Sequence, residues 1–346
     1  MKLWRLEAVR GSAAAYVAFG HFITTLPILM SFGQEAVMVF FLLSGFVIEY
    51  SAAPVMGRGF GYYFAKRFLR IYPVLVSMFI LVCLLRRISV GSAGFLVPLV
   101  GNLLMLQDFA PGKPHVLVSP LFSGALWSLH YEWWFYMLYF PVAARIPAKA
   151  QTHVVGLAGM AAAATYVVWP YDLNRLILYF PIWWTGVVMA REFALQGRVS
   201  IRAVLTPCAY LSAIGLALLG KCLWWLNSGR RFTPGLHPFL ELRHLLGALA
   251  VLAIALYWQR LRWRGFRMVL GWGCWIAPVS YALYIAHQPL LTEATYLKGR
   301  LPTHLEQPAY FVVLILFCCF TDLWLYRRLN RRFGAYWSKT RVAAPA

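Results

Sequence analysis

Residues 5–22 read RLEAVRGSAAAYVAFGHF: an arginine and a histidine lie within an apolar run that starts at Ala8 and continues past Phe22. A bilayer's hydrocarbon core, about 30 Å thick, calls for roughly 20 such residues in helical form. Similar runs recur from Ala8 to Tyr326, and 61% of the 346 residues are hydrophobic against 12% charged. Mean hydropathy is +0.65, which excludes an ordinary water-soluble domain. The runs are continuously apolar and rich in Leu, Ala and Val, where a membrane β-barrel would alternate over about ten residues. The fold class expected is therefore all-α: a polytopic transmembrane helical bundle. Residues 1–346 read as a single transmembrane domain with no appended soluble domain. The basic start MKLWRLEAVRG resembles a signal peptide, but the apolar run after it is too long for an h-region and is expected to remain as the first span.

Ten spans are expected, near residues 8–30, 34–52, 70–86, 124–143, 153–169, 176–191, 203–226, 243–258, 268–291 and 309–326. The apolar stretch Gly94–Phe109 is read as re-entrant or interfacial. With that count, most of the 32 Lys and Arg fall on one side, and by the positive-inside rule that side and both termini are cytoplasmic. Arg86, Arg87, Arg230 and Arg231 fall on the other side. The net charge of +21 is dispersed over short inter-helix clusters, which points to the lipid bilayer rather than nucleic acid as the partner. The six cysteines lie in or beside apolar runs without ligand spacing, so neither a disulfide framework nor a metal site is expected.

Polar groups inside hydrocarbon are costly and are functional candidates by default. Arg10 and His21 are eleven residues apart, so they share a helix face at a separation of roughly 16 Å. Snorkelling to the interface is the plain alternative for Arg10, and an interhelical hydrogen bond for His21. Glu7 lies one turn before Arg10. Glu35 opens the second span, and Glu132 sits in the middle of the fourth, with His130 on a different face. His287 lies near the end of the ninth. On the cytoplasmic side Lys66, Arg67 and Arg70 cluster, and Arg67 with Arg70 one turn apart suits a phosphate as well as simple anchoring. Asp108 and Asp172 read as loop residues, and His237 and His244 as structural.

Five blocks together resemble the acyltransferase 3 family of integral-membrane acyltransferases: RLEAVRGSAAAYVAFGHF, GQEAVMVFFLLSGFVI, KRFLRIYP, LWSLHYEWWFYMLYFP and SYALYIAHQPLL. They run in order from residue 5 to about 290. The resemblance implies that His21 is catalytic and that Arg10, Arg67 and Arg70 contact an acyl-coenzyme A donor. It also draws attention to Ser44, Gly45 and Glu132. Ser44 lacks the first glycine and the strand-to-helix setting of a nucleophile elbow and reads as a packing or hydrogen-bonding residue, not a nucleophile. Two departures from the family pattern concern the acceptor side: Met38 stands where an acid is common, and His130 where a small polar residue is usual.

The activity expected is O-acyl transfer, most simply of acetyl, to a hydroxyl of a surface polysaccharide or lipid-linked glycan. His21 would serve as general base, with Glu35 or Glu132 orienting its ring. Acyl-coenzyme A is the co-substrate and no bound cofactor is expected. The location expected is the bacterial cytoplasmic membrane. A transporter is the first rival, but it would show internal repeats, and LSGF and WSL have no second copies. The second rival is a non-catalytic subunit of an envelope polysaccharide export or assembly complex, and within the acyltransferase reading a non-glycan acceptor, such as a small lipid or antibiotic, is the alternative.

Overall fold

The computed structural model describes residues 3–22, 32–88, 91 and 93–342. The helices are α1 (Trp4–Phe22), α2 (Gly33–Ala52), α3 (Gly59–Arg86), α4 (Ala93–Leu103), α5 (Trp127–Arg145), α6 (Ala148–Val168), α7 (Asp172–Gln196), α8 (Ile201–Asn227) and α9 (Phe239–Arg260). Three short pieces follow, α10 (Phe266–Leu270), α11 (Gly273–Ile276) and α12 (Ser280–His287), then α13 (Thr303–Cys318) and α14 (Tyr326–Val342). Among the described residues there is no strand, only an isolated bridge between Gln107 and Val118.

Among the described residues, five stretches are both long and apolar enough to cross a membrane: Gly33–Ala52, Val55–Arg86, Ile201–Asn227, Phe239–Arg260 and Thr303–Trp337. Helices α5, α6 and α7, with 19, 21 and 25 residues, are long enough to span as well. Polar and charged residues dilute α5 and α7, and these face inward: Arg175 and Thr185 are fully buried and His130 nearly so. Large apolar side chains such as Leu216, Ile254 and Ile315 point out of the bundle. A polar interior under an apolar exterior is the arrangement that lipid, not water, stabilises.

Several expected elements differ in detail. The third span, expected over 70–86, begins at Gly59 and so includes Lys66 and Arg67. The first span is helical from Trp4 to Phe22, and residues 23–30 of it lie outside the described residues. The ninth, expected as one helix over 268–291, is broken into pieces. Gly271 and Gly273 loosen it, and Pro278 and Pro289 each remove a backbone donor, so it continues through a short 3-10 turn and then a π-helical turn over Gln288–Thr292. The tenth is longer than expected, since α13 passes through a π-helical stretch, Cys319–Leu325, directly into α14. α4 has 11 residues, a rise of about 16 Å, which is too short to span. This agrees with the non-spanning reading of Gly94–Phe109.

Two backbone crossings fix the bundle. A Cβ on Gly45 would lie 2.0 Å from the Trp183 carbonyl oxygen, and one on Gly186 would lie 2.1 Å from that of Leu42. α2 and α7 therefore touch backbone to backbone, as small residues permit in membrane bundles. Gly11 and Gly273 do the same for α1 and α11, at 1.9 Å from the Gly273 oxygen and 2.1 Å from the Ala8 oxygen.

Candidate active site

Four helical faces converge on two cavities. On α5, Ser128, Glu132 and Tyr136 stand at successive steps of four, and on α2 Gln34, Val37, Ser44 and Ser51 keep to one stripe, as a 3.6-residue period requires. The larger cavity, about 670 Å³, is lined by Glu7 and Arg10 of α1, Ser44 and Ser51 of α2, Glu132 of α5 and Ser280 of α12, among others. The smaller, about 300 Å³, is lined by Val17 and Gly20 of α1, Gln34 and Val37 of α2, Ala125 and Trp127 at the start of α5, and Gln288 just beyond α12. Along α1 and across α12 the order runs from the larger cavity to the smaller, and along α2 and α5 from the smaller to the larger. The two cavities are thus stacked along the bundle axis. Tyr284 is the one described residue that lines both.

The larger cavity is the cationic one. Arg10, Lys66, Arg67, Arg70 and Arg327 line it against the carboxylates of Glu7, Glu132 and Asp322. Arg70 donates to Asp322 at 2.8 Å, and Asp322 also accepts the Ala282 N–H at 2.9 Å. Arg10 donates Nη2 to the Ala277 carbonyl at 3.1 Å. Arg67 lies over the rings of Tyr63 and Tyr136, at 5.6 and 5.8 Å. The Nε atoms of Arg10 and Arg67 are buried without a hydrogen-bond partner among the described residues. Two arginines with donors to spare, with Lys66, Arg70 and Arg327 beside them around a cavity of ligand size, make a site that favours a polyanion.

Beside Arg67, Glu132 accepts from Tyr136 Oη, and the Ser44 hydroxyl lies 3.1 Å from both Glu132 Oε1 and Tyr136 Oη. Ser44 Oγ also accepts the Trp183 indole N–H at 3.2 Å. The serine is thus a junction between α2, α5 and α7, with Gly45 beside it at the α2–α7 crossing.

The other sequence-derived candidates are dispersed. His21 is in the last turn of α1, one residue beyond Gly20 of the smaller cavity, and its side chain lies outside the described residues. Glu35 is near that same end, but it pairs with Arg243 of α9, whose Nη2 is 3.0 Å from Oε2. Glu132 faces the larger cavity. His130 points away from both, its Nδ1 2.6 Å from the Met105 carbonyl oxygen. His287 is fully buried beside the cavities, with Nδ1 2.7 Å from the Tyr284 carbonyl oxygen.

Sequence reasoning passed over a charged knot beneath the smaller cavity. Asp108, which follows α4, accepts from Lys113 Nζ at 2.8 Å, Tyr131 Oη at 2.6 Å and Arg175 Nη1 at 2.8 Å. Arg175 is also 3.3 Å from Asp172. Burial opposes the Asp108 carboxylate, but Lys113 and then Arg175 outweigh it and hold its pKa below the ordinary value. Tyr166, His237 and Glu241 form a second buried group. The one signal for either in the sequence is the presence of charges, Asp172 and Arg175 among them, beside apolar runs.

The family model for the acyltransferase domain of the acyltransferase 3 family matches residues 3–323. The chain is similar to the acyltransferase MdmB of Streptomyces mycarofaciens, at 30% identity over 156 residues. That match takes in 44% of this chain and 39% of the relative's length. No solved structure matches. Because the family match runs from the base of α1 to the Asp322 turn, through nearly every element that lines the two cavities, the chain belongs to the acyltransferase 3 family.

Proposed function

We propose that this protein is a membrane O-acyltransferase that moves an acyl group, most simply acetyl, from acyl-coenzyme A to a hydroxyl of a surface polysaccharide or lipid-linked glycan. The observation that carries the proposal is the cationic cavity: Arg10, Lys66, Arg67, Arg70 and Arg327 around about 670 Å³. Coenzyme A presents phosphates at one end and a thioester at the other, and this cavity offers arginines at its wall and runs on toward α12. Ten spans with both termini cytoplasmic, in a bacterial cytoplasmic membrane, put the cationic end on the side where acyl-coenzyme A is made. The smaller cavity then opens toward the opposite face, from which the acceptor enters.

A thioester is already activated, so the alcohol is the partner that needs help. A general base takes its proton while donors stabilise the carbonyl oxygen. His21, on the face of α1 that passes both cavities, is the base in this reading. Glu35 is the carboxylate nearer its end of the bundle, and Glu132 the one within the donor cavity. The test is transfer of labelled acetyl from acetyl-coenzyme A to an envelope glycan extract by the protein in liposomes, with His21→Ala and Arg10→Ala beside wild type. Transfer by wild type alone supports the reading. Equal transfer by His21→Ala removes the base.

A further inference from the structure

Three side chains from three helices narrow the seam where the two cavities meet at Tyr284. Phe40 of α2 meets Tyr284 of α12 edge to face, ring centroids 5.4 Å apart. The Tyr284 hydroxyl is 2.7 Å from Ser128 Oγ of α5, which holds the ring across the seam. Ser128 in turn bonds the Ala125 carbonyl at 3.3 Å. Phe40 and Ser128 face only the larger cavity, whereas Tyr284, 8% exposed, faces both. A ring pinned at its hydroxyl and packed against a second ring is a fixed constriction. Each interaction limits a rotation that would open the gap.

We propose that Tyr284 sets the upper size of the acyl group. This rests on the acyl-coenzyme A reading above. The donor enters from the cationic end, so its acyl group is the leading end and meets the Tyr284–Phe40 constriction. A two- or three-carbon group ends at the constriction with its carbonyl beside the seam between the cavities, and a longer chain collides with the ring before the thioester arrives. In the transfer itself the acceptor oxygen forms the ester bond to the acyl carbon and the carbon–sulfur bond breaks. The hydroxyl proton passes through the base to sulfur, and coenzyme A leaves as the thiol. Tyr284 takes no part in these bonds. It decides which donors reach them.

The experiment follows free coenzyme A thiol released from acetyl-, propionyl-, butyryl- and hexanoyl-coenzyme A, with an envelope glycan extract as hydroxyl source and the full-length protein in liposomes. Wild type is expected to turn over the two shorter donors only. Tyr284→Ala raises the hexanoyl-to-acetyl ratio of kcat/KM by about tenfold or more, since a single methylene misfit discriminates by roughly 10–200-fold. Tyr284→Phe keeps the ring and the length limit. Tyr284→Leu and Phe40→Ala open the same gap with less risk to folding and shift the ratio in the same direction. An unchanged ratio in opened variants that still use acetyl-coenzyme A overturns the selector alone, as does a wild type indifferent to chain length. No thiol release from any donor by any of the proteins overturns the donor reading, and the selector with it.

Discussion

Replacing Asp108 with asparagine removes one charge and changes almost nothing in shape, which makes it a sharp test of the buried knot. Both carboxylate oxygens are fully used: Oδ1 accepts from Lys113 at 2.8 Å and the Phe109 N–H at 2.7 Å, and Oδ2 from Tyr131 at 2.6 Å and Arg175 at 2.8 Å. Whichever way the new amide turns, its NH₂ faces donors that it cannot accept from. Lys113 is left buried with no compensating anion beside it, at a side-chain exposure of 1%. Breaking a buried pair in this way costs about 3–5 kcal/mol. At about 2–4 °C per kcal/mol for a chain of 150–250 residues, and less for a longer one, the melting temperature should fall by roughly 5–15 °C. The assay is thermal unfolding of the purified protein in detergent, followed by tryptophan fluorescence. Adding Lys113→Met should recover part of the loss, since the orphaned cation is then gone. A fall under about 2 °C, or a double variant no better than the sum of the singles, refutes the argument. The pH dependence has a definite sign. Asp108 has a lowered folded pKa, so its contribution is full above the unfolded value of about 3.9 and is lost as pH falls through the folded value. Asp108→Asn should therefore flatten the acid side of the stability profile.

Arg67→Ala should raise KM for acyl-coenzyme A by about 10- to 150-fold, equivalent to a charge-assisted hydrogen bond of roughly 1.5–3 kcal/mol. Its folding cost should be small, because Arg67 contacts rings and no carboxylate within ion-pair distance among the described residues. Arg70→Ala should raise KM and lower the melting temperature together, because it strands Asp322, whose side chain is fully buried. Equal melting temperatures for the two variants would count against this distinction. Gly45→Ala forces a methyl against the Trp183 carbonyl and should destabilise by about 1–3 kcal/mol. Gly186→Ala added to it should cost less than its own single effect, read by the same unfolding assay. Ser44→Ala leaves the Trp183 N–H without its acceptor, at a cost of about 1–3 kcal/mol, yet transfer should persist. A folded Ser44→Ala protein with no transfer would refute the reading of Ser44 as a purely structural junction.

How much of this was legible in the sequence follows from how local each feature is. The cavity face of α5 could be read directly, because Glu132 within an apolar helix must point inward and Ser128 and Tyr136 sit four residues either side of it. Arg67 and Arg70 could be paired from their one-turn spacing, though that spacing served simple anchoring equally well. The knot at Asp108 was not: its partner Arg175 is 67 residues away, and DFAPGKP carries every mark of a plain loop. The Glu35–Arg243 pair joins residues 208 apart, and nothing local to either residue announces the other. In SYALYIAHQ the eye goes to His287, the ionisable residue. Helical spacing instead puts Ser280, Tyr284 and Gln288 on one face, and that face passes both cavities.

The unequal charge of the two cavities gives the proposed reaction a direction. The larger holds five cations and three carboxylates, whereas the smaller is lined by two carboxamides, three aromatic rings and one arginine, and that arginine already pairs with Glu35. In a low-dielectric interior such a difference favours a polyanion over a neutral sugar in the cationic end. It also leaves a phosphate poorly served in the other end. The Gln288 side chain there is oriented by its surroundings: its oxygen accepts the Ala125 N–H at 3.1 Å and the Ser123 hydroxyl at 3.2 Å, so its NH₂ is left to face the cavity. A polyanionic donor and a hydroxyl-rich acceptor thus each have one end that suits them and one that does not. In the proposed reaction, sorting by charge, with Tyr284 between, would let an acyl group cross the bundle while neither substrate does.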